Sequence, residues 1–537
     1  MRNLRIIGVL VAPLPILALA VVPASASTAP ATRVALTSEV VPGLAQTTHT
    51  GALAAGQQLS VEVSLAPRNQ AQLNAFIKAV STPGSAQYKD YLTVAQYAQT
   101  YGATDASIAA VTSYLKSQGL SVGAATANHL TLTASGNAAQ VEKAFGVSIG
   151  TYHDAAGHSF YANAAAPTLP TSIASVVSGV AGLSTKAVHT AYNVTGAAAP
   201  KATTALTPTT GRSGYNLTST IKAGDNGKGQ TVALAEFSAY TASDVAEYNT
   251  KYSLGVTAAS VVKVDGGTTD KSGEDEDELD IEVEYALAPG ATVKVYEAPN
   301  SDAGEVALYA SLASSGITSI STSWGEAESE DDDLASDDAD FAEMAAQGQS
   351  IFAASGDDGA DDNGSSLSVD YPASDPYVSG VGGTALKLTS AGAWSSETGW
   401  SDSGGGVSVE WATPSYQTKV NTGTHREVPD VAAAGASTSP WYIYTEGEWT
   451  DVWGTSAAAP NWAAFTADYN TTAVADGKAK FGYANSFIYT VAQSSAYSSA
   501  FHDVTSGNNG GYSAKTGYDE VTGWGSYNGA NFIADEL

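Results

Sequence analysis

The sequence predicts an α/β fold, a mostly parallel sheet with helices on both faces, preceded by a separate α+β unit. In the second half of the 537-residue chain, short apolar segments alternate with helix-like ones, whereas the first half mixes strand-like alternation with amphipathic helices. The balance of acidic and basic residues also differs between the two parts of the chain. Residues 27–190 hold 6 acidic and 7 basic residues, and residues 191–537 hold 48 and 14. Length and charge asymmetry together predict folding units that meet near residue 190.

The chain begins like an exported protein. Two arginines near Met1 precede an apolar run from Ile6 to Val22 and the small-residue end Ala24-Ser25-Ala26. This order is typical of a secretory signal peptide, so we expect residues 1–26 to be removed and the protein to be secreted outside the cell. A membrane anchor is the alternative, which the prolines within the run disfavour. Because the chain has no cysteine, disulfides cannot stabilise it there.

The formal net charge of −31 limits which partners this protein can bind. Nucleic acids and anionic membrane surfaces would both repel so acidic a chain. We therefore expect neither a nucleic-acid partner nor a membrane partner.

Residues 27–190 are predicted to form the α+β unit. Strand patterns cover 58–65 and 129–134, and helical patterns cover 70–80, 105–118 and 138–145. The sequence from about 185 to 216 is rich in Ala, Thr, Pro and Gly and has little periodicity. We interpret residues 191–215 as a linker, which is a favourable place for proteolysis.

Residues 216–537 are predicted to form the α/β unit. Buried strands are predicted at 231–237, 292–297, 317–321 and 350–354, with helices between them at 279–288, 305–314 and 337–346.

The segment Gly454-Thr455-Ser456-Ala457-Ala458-Ala459-Pro460 predicts a serine nucleophile at the start of a helix. Subtilisin-type proteases carry their serine in a similar segment, and there a histidine takes its proton. Five of the seven histidines fall before residue 190, and neither His425 nor His502 has the sequence context of such a base. Either the serine is inert, or its base is another residue. The many carboxylates favour the second possibility.

Several further motifs occur in the order of a known family. They are Ser323-Trp324-Gly325, Ser355-Gly356-Asp357, residues 404–408, Arg426 with Pro429-Asp430-Val431, and the Gly454 to Pro460 segment. With them, the chain from about residue 215 resembles the sedolisins, or serine-carboxyl peptidases, especially the kumamolisin-like branch. The segment before it resembles their activation peptide. The resemblance implies a subtilisin-like catalytic domain at 216–537 and a prosegment at 27–190. It also implies a secreted, self-processing, acid-acting monomeric endopeptidase, with proteins and peptides as substrates and its own prosegment as a partner.

The resemblance also implies the catalytic residues. Ser456 corresponds to the nucleophile, Glu276 to its base, Asp280 to the residue that orients the base, and Asp357 to an oxyanion stabiliser in its protonated form. The spacing of Glu276 and Asp280 is consistent with these roles, because residues at positions i and i+4 lie on the same face of a helix. Two carboxyl groups held close together also raise the pKa of one of the pair.

The acidic run Glu274 to Glu284 has an alternative reading, a solvated helix face. Glu278 stands at the same i, i+4 spacing from both Glu274 and Glu282. Only the alignment with the family's sequence pattern selects Glu276 and Asp280 from this run.

Two supporting residues and a metal site are also implied. Glu236 and Trp324 correspond to residues that extend the carboxylate network in some members, although a surface strand end and a core aromatic are the alternatives. In the C-terminal tail, Asp503, Val504, Lys515, Gly517 and Asp519 correspond to a site for one calcium ion. Oxygen ligands suit calcium. Lys515 replaces a glycine of the family pattern, and an ordinary acidic loop is the alternative.

Two rival functions remain. One is a histidine-based subtilisin, and the other is a catalytically inactive secreted binding protein on the same fold. Cleavage of a peptide in acid would separate the inactive protein from the enzyme.

Overall fold

The computed structural model describes Met1 and residues 32–36, 41, 43–155, 157–195, 205–331 and 333–537. The predicted signal peptide lies outside these ranges except for Met1. Within them, no helix is long and apolar enough to cross a membrane.

The N-terminal unit is an α+β fold, as predicted. Its main sheet is antiparallel and four-stranded, in the order Ser121–Ala125, Thr131–Asn137, Gln58–Leu65 and Val177–Ala181. Two smaller sheets pair Thr48–Ala52, Ile149–His153 and Ser159–Asn163, and Arg33–Ala35 with Thr168–Pro170. The helices are Leu44–Gln46 (3₁₀), Gln70–Ser81, Val94–Thr100, Asp105–Ser117, Ala138–Phe145 and Thr171–Ala174.

The C-terminal unit contains a mostly parallel central sheet, also as predicted. Its strands are, in order, Ser260–Lys263, Thr292–Glu297, Thr231–Glu236, Ser319–Thr322, Ser350–Ala354, Ser379–Leu388 and Trp394–Gly399, and Val431–Ala434 pairs with Ser379–Leu388 as well. Each neighbouring pair is parallel except Ser379–Leu388 with Trp394–Gly399.

Helices cover both faces of this sheet. On one face Val232 and Leu234 share a core with the helices Glu274–Leu287 and Ala459–Ala475. On the other face Ala233 and Ala235 share a core with the helices Asp302–Ala313 and Leu334–Gln347. Alternate residues of one strand thus enter opposite cores, which explains why residues 232–235 are all apolar.

Shorter elements complete the C-terminal unit. The helices are Pro208–Gly214, Thr218–Ala223, Ala242–Tyr252, Thr455–Ala457 (3₁₀), Ala484–Ala492, Tyr497–Ala500 and Gly529–Glu536. The strands are Trp324–Ala327, Asp370–Tyr371, Gly406–Ala412, His425–Val428, Trp441–Thr445, Glu448–Trp453, Phe501–His502 and Ser526–Tyr527.

The segment predicted as an unstructured linker is partly ordered. Thr190–Ala191 and Val194–Thr195 are short strands, and Pro208–Gly214 is a helix whose N-terminus Thr207 caps. The capping box and the proline in the first turn are helix-start signals that the Ala/Thr-rich composition concealed. Residues 196–204 of the predicted linker lie outside the described ranges.

The two units meet along the helix Leu334–Gln347. Asn128 of the N-terminal unit is fully buried there, and its Nδ2 donates to Asp340 Oδ1 at 3.2 Å and to Glu343 Oε2 at 2.7 Å. Burial raises the pKa of Asp340 to about 8 and that of Glu343 well above its usual value. Around these groups, alanines of the helix pack against an apolar cluster of the N-terminal unit that includes Leu73 and Tyr97.

Candidate active site

Ser456 lies in a single 3₁₀ turn, Thr455–Ala457, directly before the helix Ala459–Ala475. Gly454 precedes the turn with φ 147°, a conformation that favours glycine. The Ser456 side chain is fully buried, and its Oγ has no hydrogen-bond partner within the described ranges. The hydroxyl therefore keeps its hydrogen-bonding capacity for another group.

The acidic run forms the helix Glu274–Leu287, and it is not a solvated face. Every residue from Glu276 to Leu287 is buried, and Glu276, Asp277 and Asp280 are 0% exposed. Unpaired buried carboxylates are costly, so these groups favour their protonated forms.

Glu236 connects this helix to the sheet. Trp324 Nε1 donates to Glu236 Oε2 at 2.7 Å, and the carboxyls of Asp277 and Asp280 both lie in hydrogen-bonding contact with the Glu236 carboxyl. A bond between two carboxyls needs a proton. Burial raises the pKa of Glu236 to about 7 and those of Asp277 and Asp280 well above their usual values.

Ser323 joins this cluster to the serine turn. Its Oγ lies 2.9 Å from each oxygen of Asp280 and 3.2 Å from the backbone oxygen of Ser456. Glu276 sits one turn before Asp280, and neither of its oxygens has a hydrogen-bond partner among the described residues. Burial, followed by the charges of Asp280 and Glu236, raises the pKa of Glu276 well above its usual value.

The other glutamates of the acidic run contact different parts of the protein. Glu278 Oε1 accepts from Thr241 N at 2.9 Å, and Glu282 Oε2 accepts from Tyr444 N at 3.0 Å. Glu274 forms an ion pair with Lys271. The competing i, i+4 pairs therefore hold surrounding loops and strands, away from the carboxyl cluster.

Asp357 follows the strand Ser350–Ala354 and contacts the serine turn. Its Oδ1 accepts from Thr455 N and from Thr455 Oγ1, both at 2.8 Å. Its Oδ2 is buried without a hydrogen-bond partner in the described part of the chain, and lies 2.6 Å from where a Cβ on Gly454 would stand. Burial raises the pKa of Asp357 well above its usual value, although the Thr455 hydrogen bonds oppose the shift. The carboxyl is therefore neutral in acid and can donate through Oδ2.

A backbone carbonyl already occupies the space in front of this turn. Ser456 N donates to Tyr192 O at 3.2 Å, and this oxygen would lie 2.1 Å from a Gly454 Cβ. The serine N–H, Asp357 Oδ2 and a peptide carbonyl thus converge beside Gly454.

No histidine of the C-terminal unit bonds to Ser456 among the described contacts. The His425 ring bonds to Thr424 Oγ1 at 3.0 Å, and the His502 ring stacks on Trp394 at 4.0 Å. His189 is buried beside Glu305, with Nε2 3.0 Å from Oε1, and burial lowers its pKa to about 3.

The tail residues proposed for calcium form one loop. Asp519 Oδ2 accepts from Lys515 N at 2.9 Å, and both Asp503 oxygens lie within 3.3 Å of Gly517 N. No described N–H donates to the carbonyl oxygens of Val504, Lys515 or Gly517, so these oxygens and the two carboxylates suit a hard cation. The Lys515 ammonium bonds to Glu520 Oε2 at 3.2 Å, and the positive φ of this loop falls on Gly517. The missing glycine at 515 is therefore not needed for the backbone.

Two other groups in the described ranges could hold a metal ion, and the sequence did not suggest either. One group is His189, Glu305 and Glu326, and the other is Glu305, Asp331 and Asp337. Within each group the possible ligand atoms lie within 4.8 Å of one another.

Several residues of the candidate active-site region could not be identified from the sequence. Asp277 stands three residues before Asp280, a spacing that puts both residues on one helix face. Because the run contains so many acidic residues, this spacing did not distinguish Asp277 from its neighbours. The hydrogen-bonding roles of Ser323 and Thr455, each inside a recognised motif, had no sequence signal. Nor did the approach of Tyr192 to the serine turn.

The chain is similar to known proteins along most of its length. Residues 45–186 match the model of the pro-kumamolisin activation domain. The chain is 30% identical to sedolisin of Pseudomonas sp. (strain 101), over 90% of this chain and 88% of that protein. It is 32% identical to kumamolisin of Bacillus sp. (strain MN-32), over 90% and 92% of the two chains.

A solved structure is similar as well. Pseudomonas sedolisin, a serine-carboxyl proteinase complexed with pseudo-iodotyrostatin, matches with a TM-score of 0.56 at 30% identity. The match covers 63% of this chain and 98% of that one. An activation domain followed by a serine peptidase fold describes a protease zymogen, and this chain belongs to the sedolisin family of serine-carboxyl peptidases.

Proposed function

We propose that the protein is a secreted, acid-acting endopeptidase that processes itself and then cleaves proteins and peptides. In this proposal residues 1–26 direct export, 27–190 form the prosegment, 191–215 link it to the enzyme, and 216–537 form the catalytic domain. The observation that carries the proposal is a buried serine turn beside a cluster of buried carboxyls, with no histidine bonded to Ser456 among the described contacts. Such a site suits a serine peptidase whose base is a carboxylate.

Ser456 attacks the peptide carbonyl, and Glu276 takes its proton and then returns it to the leaving nitrogen. Asp280, held by Ser323 and Glu236, orients and tunes Glu276. The interacting carboxyls titrate as a group, so the proposal requires that this group lose its first proton in acid, and each later ionisation is harder. In acid the group then carries few charges, and one carboxylate suffices as a base where a histidine would already be protonated.

Asp357 and the Ser456 N–H stabilise the oxyanion. Asp357 can donate only while protonated, and its buried position favours that form. Once Asp357 ionises, a donor is lost and a negative charge faces the developing oxyanion. Activity therefore falls as the pH rises toward neutral.

Glu236 and Trp324 extend the carboxyl network in this proposal. The indole N–H of Trp324 stabilises the ionised form of Glu236, which in turn contacts Asp280. Asp277 makes a second carboxyl contact with Glu236 and belongs to the same group.

One calcium ion would be held by the carboxylates of Asp503 and Asp519 and the carbonyls of Val504, Lys515 and Gly517. The ion would supply charge neutralisation and crosslinking to a loop-rich tail, and it has no part in the chemical step.

The test compares two buried glutamates of one helix. Glu276→Gln should slow self-conversion in acid by at least about a hundredfold, the usual contribution of a general base. Glu278→Gln is the matched control, since Glu278 is equally buried but bonds to Thr241, and it should convert at close to the parent rate. Ser456→Ala should remain at full zymogen length.

The pH dependence of peptide cleavage completes the test. Cleavage at pH 3 to 5 with little at pH 8 is expected of a carboxylate base. A rate that climbs through pH 7 to a plateau would instead indicate a histidine base.

A further inference from the structure

Residues 190–195 run past the serine turn as two short strands. Thr190–Ala191 pairs antiparallel with Trp324–Ala327, with Ala191 opposite Trp324. Four residues on, Val194–Thr195 pairs antiparallel with Glu448–Trp453, with Val194 opposite Trp453. A peptide added as a strand to an exposed edge is a common way for proteins to bind an extended ligand. Tyr192 and Asn193 form the short bridge between the two pairings.

Tyr192 is fixed at three points within this bridge. Its N donates to Ser323 O at 3.1 Å, and its O accepts from Ser456 N at 3.2 Å. Its hydroxyl donates to the buried carboxyl of Asp370, and the residue is 6% exposed. The residue is therefore held by Ser323, Asp370 and the serine turn, and it is the carbonyl that contacts the serine turn.

The carbonyl of Tyr192 occupies the position that an oxyanion would take. It accepts from the N–H of the proposed nucleophile, and it lies beside Asp357 Oδ2 at Gly454, where a Cβ would stand 2.1 Å from the carbonyl oxygen. Oxyanion donors act on the oxygen of the carbonyl under attack. The carbonyl in question belongs to the Tyr192–Asn193 peptide bond.

We propose that Tyr192–Asn193 is the bond that Ser456 cleaves in its own chain, an inference that rests on the function proposed above. Ser456 Oγ bonds to the Tyr192 carbonyl carbon while its proton passes to Glu276. The bond from this carbon to the Asn193 nitrogen then breaks, and the nitrogen takes the proton from Glu276 and leaves as an amine. Water hydrolyses the ester, which restores the Ser456 hydroxyl and leaves a carboxyl group on Tyr192. The mature chain begins at Asn193.

The test follows the first cut in the intact zymogen. Zymogen purified at pH 8 is acidified at several protein concentrations, and the new N-terminus is sequenced at the earliest times. We expect Asn193, formed at a first-order rate that does not depend on concentration, and full-length protein from Ser456→Ala. An earliest N-terminus elsewhere, or a rate proportional to concentration, would overturn the inference.

A matched pair of variants tests the same bond. Asn193→Pro makes the leaving nitrogen tertiary and restrains its geometry, so cleavage at this bond should fall about a hundredfold, as expected when reacting groups are misaligned. Asn193→Ala should be cleaved at the same bond at close to the parent rate. If both variants were cut alike at this bond, it would not be the bond held for attack. If the proline variant does not fold, the first N-termini formed from the parent and from Asn193→Ala still test whether the bond after Tyr192 is the one cleaved.

Digestion of casein in acid distinguishes the two proposals. Acid-treated parent that digests casein but starts elsewhere than Asn193 would refute the cleavage site alone. Protein that digests nothing, even after its linker is opened by an added protease, would refute the peptidase function and this inference with it.

Discussion

Asp357 offers the most discriminating single substitution, because its two oxygens have different tasks. Oδ1 accepts both hydrogen bonds from Thr455, and Oδ2 lies beside Gly454, as the carbonyl oxygen of Tyr192 does. In Asp357→Asn the two Thr455 donors orient the amide, with its oxygen at the Oδ1 position and its NH₂ at the Oδ2 position. The amide then donates without needing a proton.

Asp357→Ala removes the donor altogether. Loss of one oxyanion donor costs about 3 kcal/mol, or about a hundredfold in rate. It also leaves the N–H of Thr455 without its acceptor, which costs about 1–3 kcal/mol of folding stability, whereas the Thr455 hydroxyl keeps Gly356 O at 3.2 Å as an acceptor. The alanine variant should therefore convert at least about a hundredfold more slowly than the parent while its melting temperature falls modestly.

The assay is the first-order rate of zymogen conversion from pH 3 to 7, with thermal melts to establish that each variant is folded. Asn should convert faster than Ala at every pH, and the ratio of its rate to the parent rate should rise toward neutral pH, where the parent loses its proton. An alanine variant that converts at near the parent rate would refute the assignment of Asp357. An asparagine variant whose rate falls with pH as steeply as the parent's would refute the need for a protonated donor.

Two further predictions concern stability. Burial raises the pKa of Glu62, Glu278 and Asp340 to about 8, so their contribution is complete below pH 4 and is lost as the pH rises through 8. The melting temperature should therefore fall between pH 4 and pH 8. Glu278→Gln should flatten this fall, because the loss of about 4 kcal/mol that Glu278 causes between pH 4 and pH 8 is then absent, and a fall of equal steepness in both proteins would contradict the assignment. For the proposed calcium site, a chelator should lower the melting temperature, and Asp519→Ala should do so even with calcium present, because a ligand that binds only the native state stabilises it by mass action. Unchanged melting curves in both experiments would leave the tail as an ordinary acidic loop.

The sequence predicted four of the eight described strands of the central sheet, and it did not predict Ser260–Lys263, Ser379–Leu388, Trp394–Gly399 or Val431–Ala434. Thr292–Glu297 and Ser350–Ala354 have the predicted bounds. The acidic helix begins at Glu274, five residues before the predicted start at 279, because its first turns are almost entirely acidic and have no apolar periodicity. Tertiary burial, which a single sequence does not reveal, makes that segment a core helix.

Motifs indicated the position of the active site better than the role of each residue. Arg426 and Asp430, two of the recognised markers, form a fully buried ion pair, and Arg426 also donates to the carbonyls of Ala373, Ser374 and Val378. These markers hold the strands around the site together. Ser323 and Thr455 bond to acids more than 40 residues away in sequence, and spacing alone cannot predict such contacts.

The contact of Asn128 with Asp340 and Glu343 links detachment of the N-terminal unit to the release of protons. While the units are joined, both carboxyls are buried and neutral. When they part, water reaches the carboxyls, and they ionise wherever the pH exceeds their ordinary pKa of about 4. In strong acid no protons are released, and this driving force for separation is absent. If the chain cuts itself in acid, as proposed above, we expect the cutting and the release of the enzyme to be separate events with opposite pH preferences. A nicked but still associated complex should then persist in strong acid and come apart as the medium is neutralised.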